Sequence, residues 1–331
     1  MDITTVADDL IVAHDGTDVL RLTGLEPGTA HRVGPHLVRT MTRPGGELLC
    51  RIATVNDVHF GEVDCGSLDG QPGGPVQRAS PGDPPYPEMM NRAAVREISA
   101  IAPDAVIVKG DLSLDGHPDE WAAFEACYRT AFGDRLHVVR GNHDAYRGQT
   151  EYAGDRWIDL PGLSVALLDT TIPLATTGRL TEGQLDWLDA SAADADRPVI
   201  VMGHHQQWTG GNRSDDYFGL HPDASDGLSA VIARRPSLVA YTAGHTHRHR
   251  RRLLASGVPT IEIGCVKDFP GTWAEYRVYE GGITQVVHRM SSPDALRWSE
   301  QCRHLYADFG MNYEAYALGG LDDRCFTISL R

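Results

Sequence analysis

Five short apolar runs along the chain each end in a sharp polar cluster. Asn56-Asp57-Val58-His59 follows Leu48–Val55, and Gly110-Asp111 follows Asp104–Lys109. Gly141-Asn142-His143-Asp144 follows Leu136–Arg140. Gly203-His204-His205 follows Pro198–Met202, and Gly244-His245-Thr246-His247 follows Leu238–Ala243. Apolar runs of this length bounded by polar residues read as buried strands. Helical spacing lies between several of them, at Glu88–Ile101, Pro118–Phe132, Thr181–Ala190 and Ser225–Arg234. Strands alternating with helices predict a layered α/β fold. In such folds ligands gather at the carboxyl ends of strands, where all five clusters fall.

The clusters bring together Asp57, His59, Asp111, Asn142, His204, His245 and His247. Carboxylate oxygen, amide oxygen and imidazole nitrogen suit Mn, Fe or Zn. Seven candidate ligands exceed what one ion ordinarily takes. They suit two ions about 3.5–4 Å apart with one carboxylate between them. In an extended segment alternate residues face the same side, so Asp57 would point with His59, and His245 with His247. The Gly that opens each of the last four clusters suggests a sharp turn or close backbone approach.

Taken in this order, D-V-H, G-D-L, G-N-H-D, G-H-H and G-H-T-H resemble the calcineurin-like metallophosphoesterases over roughly residues 50–290. The resemblance implies a four-layer α-β-β-α sandwich with the site at its edge. It implies one metal held by Asp57, His59 and His247, a second by Asn142, His204 and His245, and Asp111 as the bridge. It also implies hydrolysis of a phosphate ester by in-line attack of a metal-bound hydroxide. Next to Asn142, His143 would protonate the leaving oxygen, with Asp144 orienting its ring.

Departures narrow the subgroup. Leu114 stands where purple acid phosphatases carry Tyr, and Asp57-Val58-His59 where they carry D-x-G. Protein Ser/Thr phosphatases carry D-R-G and a Glu where this chain has Asp115-Gly116-His117 and Asp144. Gly110–Gly116, followed by Glu120-Trp121 and Phe124, is similar to the cyclic-nucleotide and glycerophosphodiester phosphodiesterase branch. Members of that branch often read G-H-H-P-P, whereas Gln206-Gln207 follow His205 here, a change that bears on substrate specificity. The reading is therefore a small phosphodiester as substrate. A phosphomonoesterase is the alternative on the same scaffold, and a non-catalytic metal-binding module is the more distant one.

Bulk properties set limits. The 331-residue chain carries a formal net charge of −15, which argues against a long nucleic acid as partner. No apolar run approaches the roughly 18 residues of a membrane helix. The acidic N-terminus lacks the basic-then-apolar pattern of a secretory signal, so the chain reads as cytoplasmic. The six cysteines are scattered and contain no C-x-x-C pair, which predicts free thiols. Residues 1–49 read as a β extension with a hairpin at His14-Asp15-Gly16, a candidate surface for homo-oligomer contacts. Residues 291–331 read as a helix and strand packed on the core. Residues 61–87 are a Gly- and Pro-rich loop. His205 is read as a brace for His204, Arg248 and Arg250–Arg252 as a solvated strand edge. Lys267-Asp268-Phe269-Pro270 is read as a loop with a lesser claim on the pocket, and Tyr313–Phe326 as packing alone.

Overall fold

A computed structural model describes residues 1–67, 76–214 and 217–330. Its strands, in chain order, are β1 (Asp2–Val6), β2 (Leu10–Asp15), β3 (Asp18–Thr23), β4 (Ala30–Val33), β5 (His36–Arg39) and β6 (Leu48–Val55). There follow β7 (Ala105–Lys109), β8 (Leu136–Val139), β9 (Arg156–Leu160), β10 (Leu163–Leu167), β11 (Val199–Met202) and β12 (Leu238–Ala243). The last are β13 (Arg250–Leu253), β14 (Pro259–Glu262), β15 (Thr272–Tyr279), β16 (Gly282–Arg289) and β17 (Phe326–Ile328).

Two six-stranded sheets dominate, ordered β17-β16-β15-β6-β7-β8 and β13-β14-β12-β11-β10-β9. In the first, β6, β7 and β8 run parallel and the rest antiparallel. In the second, β10, β11, β12 and β14 run parallel, with antiparallel strands at both edges.

Strand alternation explains how these sheets stack. Cys50 and Ile52, Ala105 and Ile107, Leu163, Val165 and Leu167, and Ile200 and Met202 share one buried core drawn from both sheets. Their sequence neighbours point the other way. Ala53, Val55, Val106 and Val108 meet Met90, Ala93, Ala94 and Ile98 of helix Tyr86–Ala100 in a second core. Ala166, Val199, Val201 and Leu238 meet Leu188 of helix Glu182–Asp194 and Leu228 and Ile232 of helix Pro222–Arg234 in a third. The resulting order is helix, sheet, sheet, helix, as expected.

The anticipated N-terminal hairpin forms between β2 and β3, with Asp15 opposite Asp18. These strands pack on β16 through a small core that includes Val286 and Cys325. Arg277 reaches Asp8 at 2.6 Å and Asp9 at 2.7 Å, tying the two parts together. Thr181 caps its helix as predicted, in a reciprocal box with Gln184. Three parts differ from expectation, the first being residues 291–331, whose described part holds three α-helices, Pro293–Cys302, Tyr313–Leu318 and Leu321–Arg324, where one was expected. Strand β9 (R-W-I-D-L) does not stand out in the sequence, because it is an edge strand with only Ile158 fully buried. The helix beginning at Pro118 continues through a π-helical turn at Glu125–Arg129 before ending at Phe132. All six cysteines are free. No helix among the described residues is long and apolar enough to cross a membrane. Of the 61–87 loop, residues 68–75 lie outside the described residues.

Candidate metal centre

The five polar clusters leave β6, β7, β8, β11 and β12, five of the parallel strands of the two sheets, at their carboxyl ends. The two sheets meet there: the His204 ring, after β11, bonds through Nδ1 to the Lys109 carbonyl at the end of β7, 2.9 Å away. That contact requires glycine. A Cβ on Gly110 (φ +83°) would lie 2.5 Å from His204 Nδ1, and one on Gly141 would lie 2.2 Å from Asp111 Oδ1.

All seven predicted residues converge. Asp57, His59 and His247 offer ligand atoms within 4.8 Å of one another, as do Asp57, Asp111 and His204, and His204, His205 and His245. Asn142 joins through His204, with Oδ1 3.0 Å from Nε2. Its amide nitrogen donates to the Tyr146 hydroxyl at 2.6 Å, which turns the oxygen toward the cluster. Asp111 Oδ2 stands 3.5 Å from His59 Nε2 and 3.3 Å from His204 Nε2. His247 Nε2 is 3.7 Å from Asp57 Oδ1.

These separations fit shared cations. Two donor atoms each about 2.1 Å from one ion lie roughly 3.0–3.4 Å apart at octahedral to tetrahedral angles. A second observation agrees: both ring nitrogens of His59, and Nε2 of His245, are buried and make no hydrogen bond among the described residues. A buried polar atom without a partner is costly and calls for an explanation. Burial, reinforced by Lys267, pushes His59 down to about 4, and burial also holds His245 well below its usual range. Both imidazoles are thus neutral, the form that binds metal. His204 goes the other way. Burial opposes its charge, but the Asp111 carboxylate beside it outweighs burial and raises it to about 9. The Asp111 oxygens thus call for a positive partner.

The backbone reaches this arrangement by an unexpected route. Asp57 (φ 53°), His59 (48°), Asp111 (52°), His245 (69°) and His247 (54°) are all left-handed. The extended segment that would align D-x-H and H-x-H is absent. The pairs converge because tight loops past the ends of β6 and β12 turn each residue separately. Backbone bonds hold those loops: Val58 and His59 both donate to the Asp111 carbonyl at 2.9 Å, and His245 donates to both oxygens of Asp57 at 3.1 Å.

His143 reaches the cavity that opens over the cluster, about 390 Å³ in volume. Its ring lies 4.5 Å from that of His59, centre to centre, and Nδ1 is 2.7 Å from the Leu114 carbonyl. Nδ1 is therefore the donor, and Nε2 is the nitrogen left for exchange. The role expected of Asp144 needs correction. Its carboxylate accepts from Leu112 N (3.1 Å), Ser113 N (2.9 Å), Ser113 Oγ (2.6 Å) and Gly141 N (2.8 Å). Asp144 clamps the loops that carry Asp111 and Asn142 together, while a backbone carbonyl orients His143. His205 is spent on structure: Nδ1 meets Thr170 Oγ1 at 2.8 Å and Nε2 the Thr176 carbonyl at 3.1 Å.

Several residues of the cavity carry no motif. Lys267 lines it and is ion-paired to Glu62, while Asp268 Oδ2 lies 3.5 Å from His247 Nδ1. A Lys-Asp pair inside the apolar stretch Ile261–Phe269 is the signal that could have singled them out. Tyr306, Met311, Tyr313 and Tyr316 form one wall, and Phe218, stacked on His245 at 4.0 Å, stands at another side. Tyr313 and Tyr316 thus do more than pack. Arg250, Arg251 and Arg252 lie on the edge strand β13, but the run is less solvated than expected: Arg248 and Arg252 are half-buried and both pair with Glu262 at 2.7 Å.

Comparison with known proteins agrees with this geometry. Residues 50–249 match the family model for calcineurin-like phosphoesterases. A probable cyclic nucleotide phosphodiesterase of Synechococcus is 29% identical over 44% of this chain and 59% of its own length. A 3',5'-cyclic adenosine monophosphate phosphodiesterase of Pseudomonas aeruginosa is 32% identical over 51% of this chain and 64% of its own. The chain thus spans less than two thirds of either relative. A dimetal phosphatase from Danio rerio shares the fold, with a TM-score of 0.58 at 16% identity over 86% of this chain and all of that one (100%). The match to the family model spans more than half of the sequence, and the chain belongs to the calcineurin-like phosphoesterase family.

Proposed function

We propose that this chain hydrolyses a small phosphodiester using two divalent cations. The observation that carries the reading is the position of Asp111 Oδ2, within 3.5 Å of imidazole nitrogens from two different residue sets. Asp57, His59 and His247 would hold one cation; Asn142, His204 and His245 would hold the other; Asp111 would serve both. When bound, such a pair supplies charge stabilisation of the phosphoryl oxygens and a water acidified toward a pKa of about 7. Manganese, iron and zinc all accept this donor set.

The protein's own groups do the rest. His143, fixed by the Leu114 carbonyl, presents Nε2 to protonate the leaving oxygen. Asp144 keeps the Asp111 and Asn142 loops in register. A diester is favoured over a monoester by charge. Histidines aside, Lys267 is the one cationic side chain among the described residues of the cavity, and Glu62 already neutralises it. Beyond the cations themselves, these described residues offer no unpaired positive side chain for the second charge of a monoester. Two of the relatives reported above are named as cyclic nucleotide phosphodiesterases, which agrees with this choice.

The test is a comparison of bis-p-nitrophenyl with p-nitrophenyl phosphate on manganese-loaded protein, for wild type and His143→Ala. The diester should be turned over faster. His143→Ala should lower kcat by roughly 10²–10⁴-fold with metal content retained, the range of general acid catalysis. Faster turnover of the monoester would favour the phosphomonoesterase reading, and unchanged kcat would remove His143 from the chemistry.

A further inference from the structure

Three buried charges at the cavity, Glu62, Lys267 and Asp268, serve neither as a proposed cation ligand nor as the proposed acid. Lys267 Nζ lies 2.7 and 2.6 Å from the two oxygens of Glu62 and 4.0 Å from Asp268 Oδ2. Each carboxylate in turn faces an imidazole. Glu62 Oε2 is 3.4 Å from His59 Nδ1, near it but outside hydrogen-bond geometry, and Asp268 Oδ2 is 3.5 Å from His247 Nδ1. The other oxygen of Asp268 is already taken, by the Tyr313 hydroxyl at 2.8 Å and Cys265 Sγ at 3.0 Å. Oδ2, which also accepts from Cys65 Sγ at 3.9 Å, is the oxygen that faces the histidine. The backbone of Lys267 is itself held, its carbonyl accepting from Trp298 Nε1 at 2.8 Å.

We infer that Glu62, Lys267 and Asp268 form one positioning network that orients His59 and His247, making the two proposed cation positions unequal. The inference rests on the dinuclear reading above. Its chemical basis is that a ligating imidazole binds best when its other nitrogen donates to a fixed acceptor, and a carboxylate makes it more basic than a carbonyl does. Both histidines of the Asp57 set face carboxylates. In the other set, His204 has a neutral partner, the Lys109 carbonyl. Lys267 joins the two carboxylates, so that neither is an uncompensated buried charge.

The network is linked to the cavity wall as well. Tyr313, which fixes Asp268, lines the same cavity, and Trp298 belongs to helix Pro293–Cys302. The C-terminal segment thereby holds the charged trio in place.

A manganese titration of the metal-free, full-length protein tests this, read by calorimetry and by the electron paramagnetic signal of unbound manganese. The double variant Glu62→Gln/Lys267→Met removes the close ion pair as a unit and leaves Asp268 facing His247. Wild type should bind in two distinguishable steps. The double variant should weaken one step by roughly 10–100-fold, the usual effect of losing such a partner, and leave the other in place. Asn142→Ala should weaken the opposite step. Should the double variant fail to fold, Asp268→Asn is read in the same titration with the same expectation. Two steps unchanged from wild type, or both weakened alike alongside a lower unfolding temperature, would overturn the network's role while leaving the dinuclear reading intact. Wild-type protein that takes up no manganese would overturn both.

Discussion

At the scale of single residues, the cluster is built on backbone that most side chains avoid. Asp57, His59, Asp111, His245 and His247 all have positive φ, a conformation costing on the order of 1–3 kcal/mol each. Such strain persists only where the surroundings over-determine it, and here backbone bonds to Asp111 and Asp57 do so. Residue identity was legible in the sequence, because Asp, Asn and His at strand ends have few other uses in that pattern. Backbone shape was not. The x-spacing in D-V-H and H-T-H reads equally well as an extended segment, and no local propensity announces a left-handed histidine. The role of Asp144 was hidden for a similar reason. Adjacency to His143 suggests a pair, but its oxygens are claimed by backbone donors thirty residues away in the chain. Gly110 offers the sharpest test at this scale. An added methyl would stand 2.5 Å from His204 Nδ1 and 2.8 Å from the Gly141 Cα, at φ +83°. Gly110→Ala should therefore cost at least about 2 kcal/mol of stability and abolish manganese uptake. Urea unfolding beside metal analysis measures both, and a midpoint equal to wild type would refute the close approach.

At the scale of elements, the parallel strands were legible because most of them are largely apolar and largely buried. The edge strand β9 was not, since Arg156 and Asp159 face solvent and leave no apolar run or alternation to mark it. The antiparallel pair β15–β16 carries a buried charge group of its own. Glu275 lies 3.0 Å from His288 Nε2 and 3.0 Å from Arg277 Nε. Burial alone would raise the Glu275 carboxyl, but His288 and Arg277 outweigh burial and bring it down to about 2. The sign follows from linkage: a carboxylate depressed on folding stabilises above its unfolded value of 4.5 and loses that contribution as pH falls toward about 2. The shift corresponds to a contribution on the order of 3 kcal/mol at neutral pH. Glu275→Gln should therefore lower the unfolding temperature at pH 7, and its gap from wild type should close between about pH 4.5 and pH 2. A gap independent of pH would show that the pair contributes nothing through charge.

At the scale of the whole molecule, the site is a property of two sheets rather than of either one. Strands β6, β7 and β8 supply Asp57, His59, Asp111 and Asn142 from one sheet. Strands β11 and β12 supply His204, His245 and His247 from the other. The shared core between them fixes their spacing. The order of strands and helices let the sequence place these residues at one edge. The third side of the cavity was illegible, because Tyr306, Tyr313 and Tyr316 sit in short helices and turns with no motif or period to mark them. A chain end that folds back over a strand edge is a long-range event, and only packing reveals it. The central claim is that both sheets together cage two cations, and counting ions tests it most directly. Metal-free protein reloaded with manganese, freed of excess and analysed by mass spectrometry should hold two ions per chain. Asp111→Ala, lacking the carboxylate both positions share, should hold fewer and lose diesterase activity. A wild-type count of zero or one, or an Asp111→Ala variant as well loaded and as active as wild type, would contradict the account.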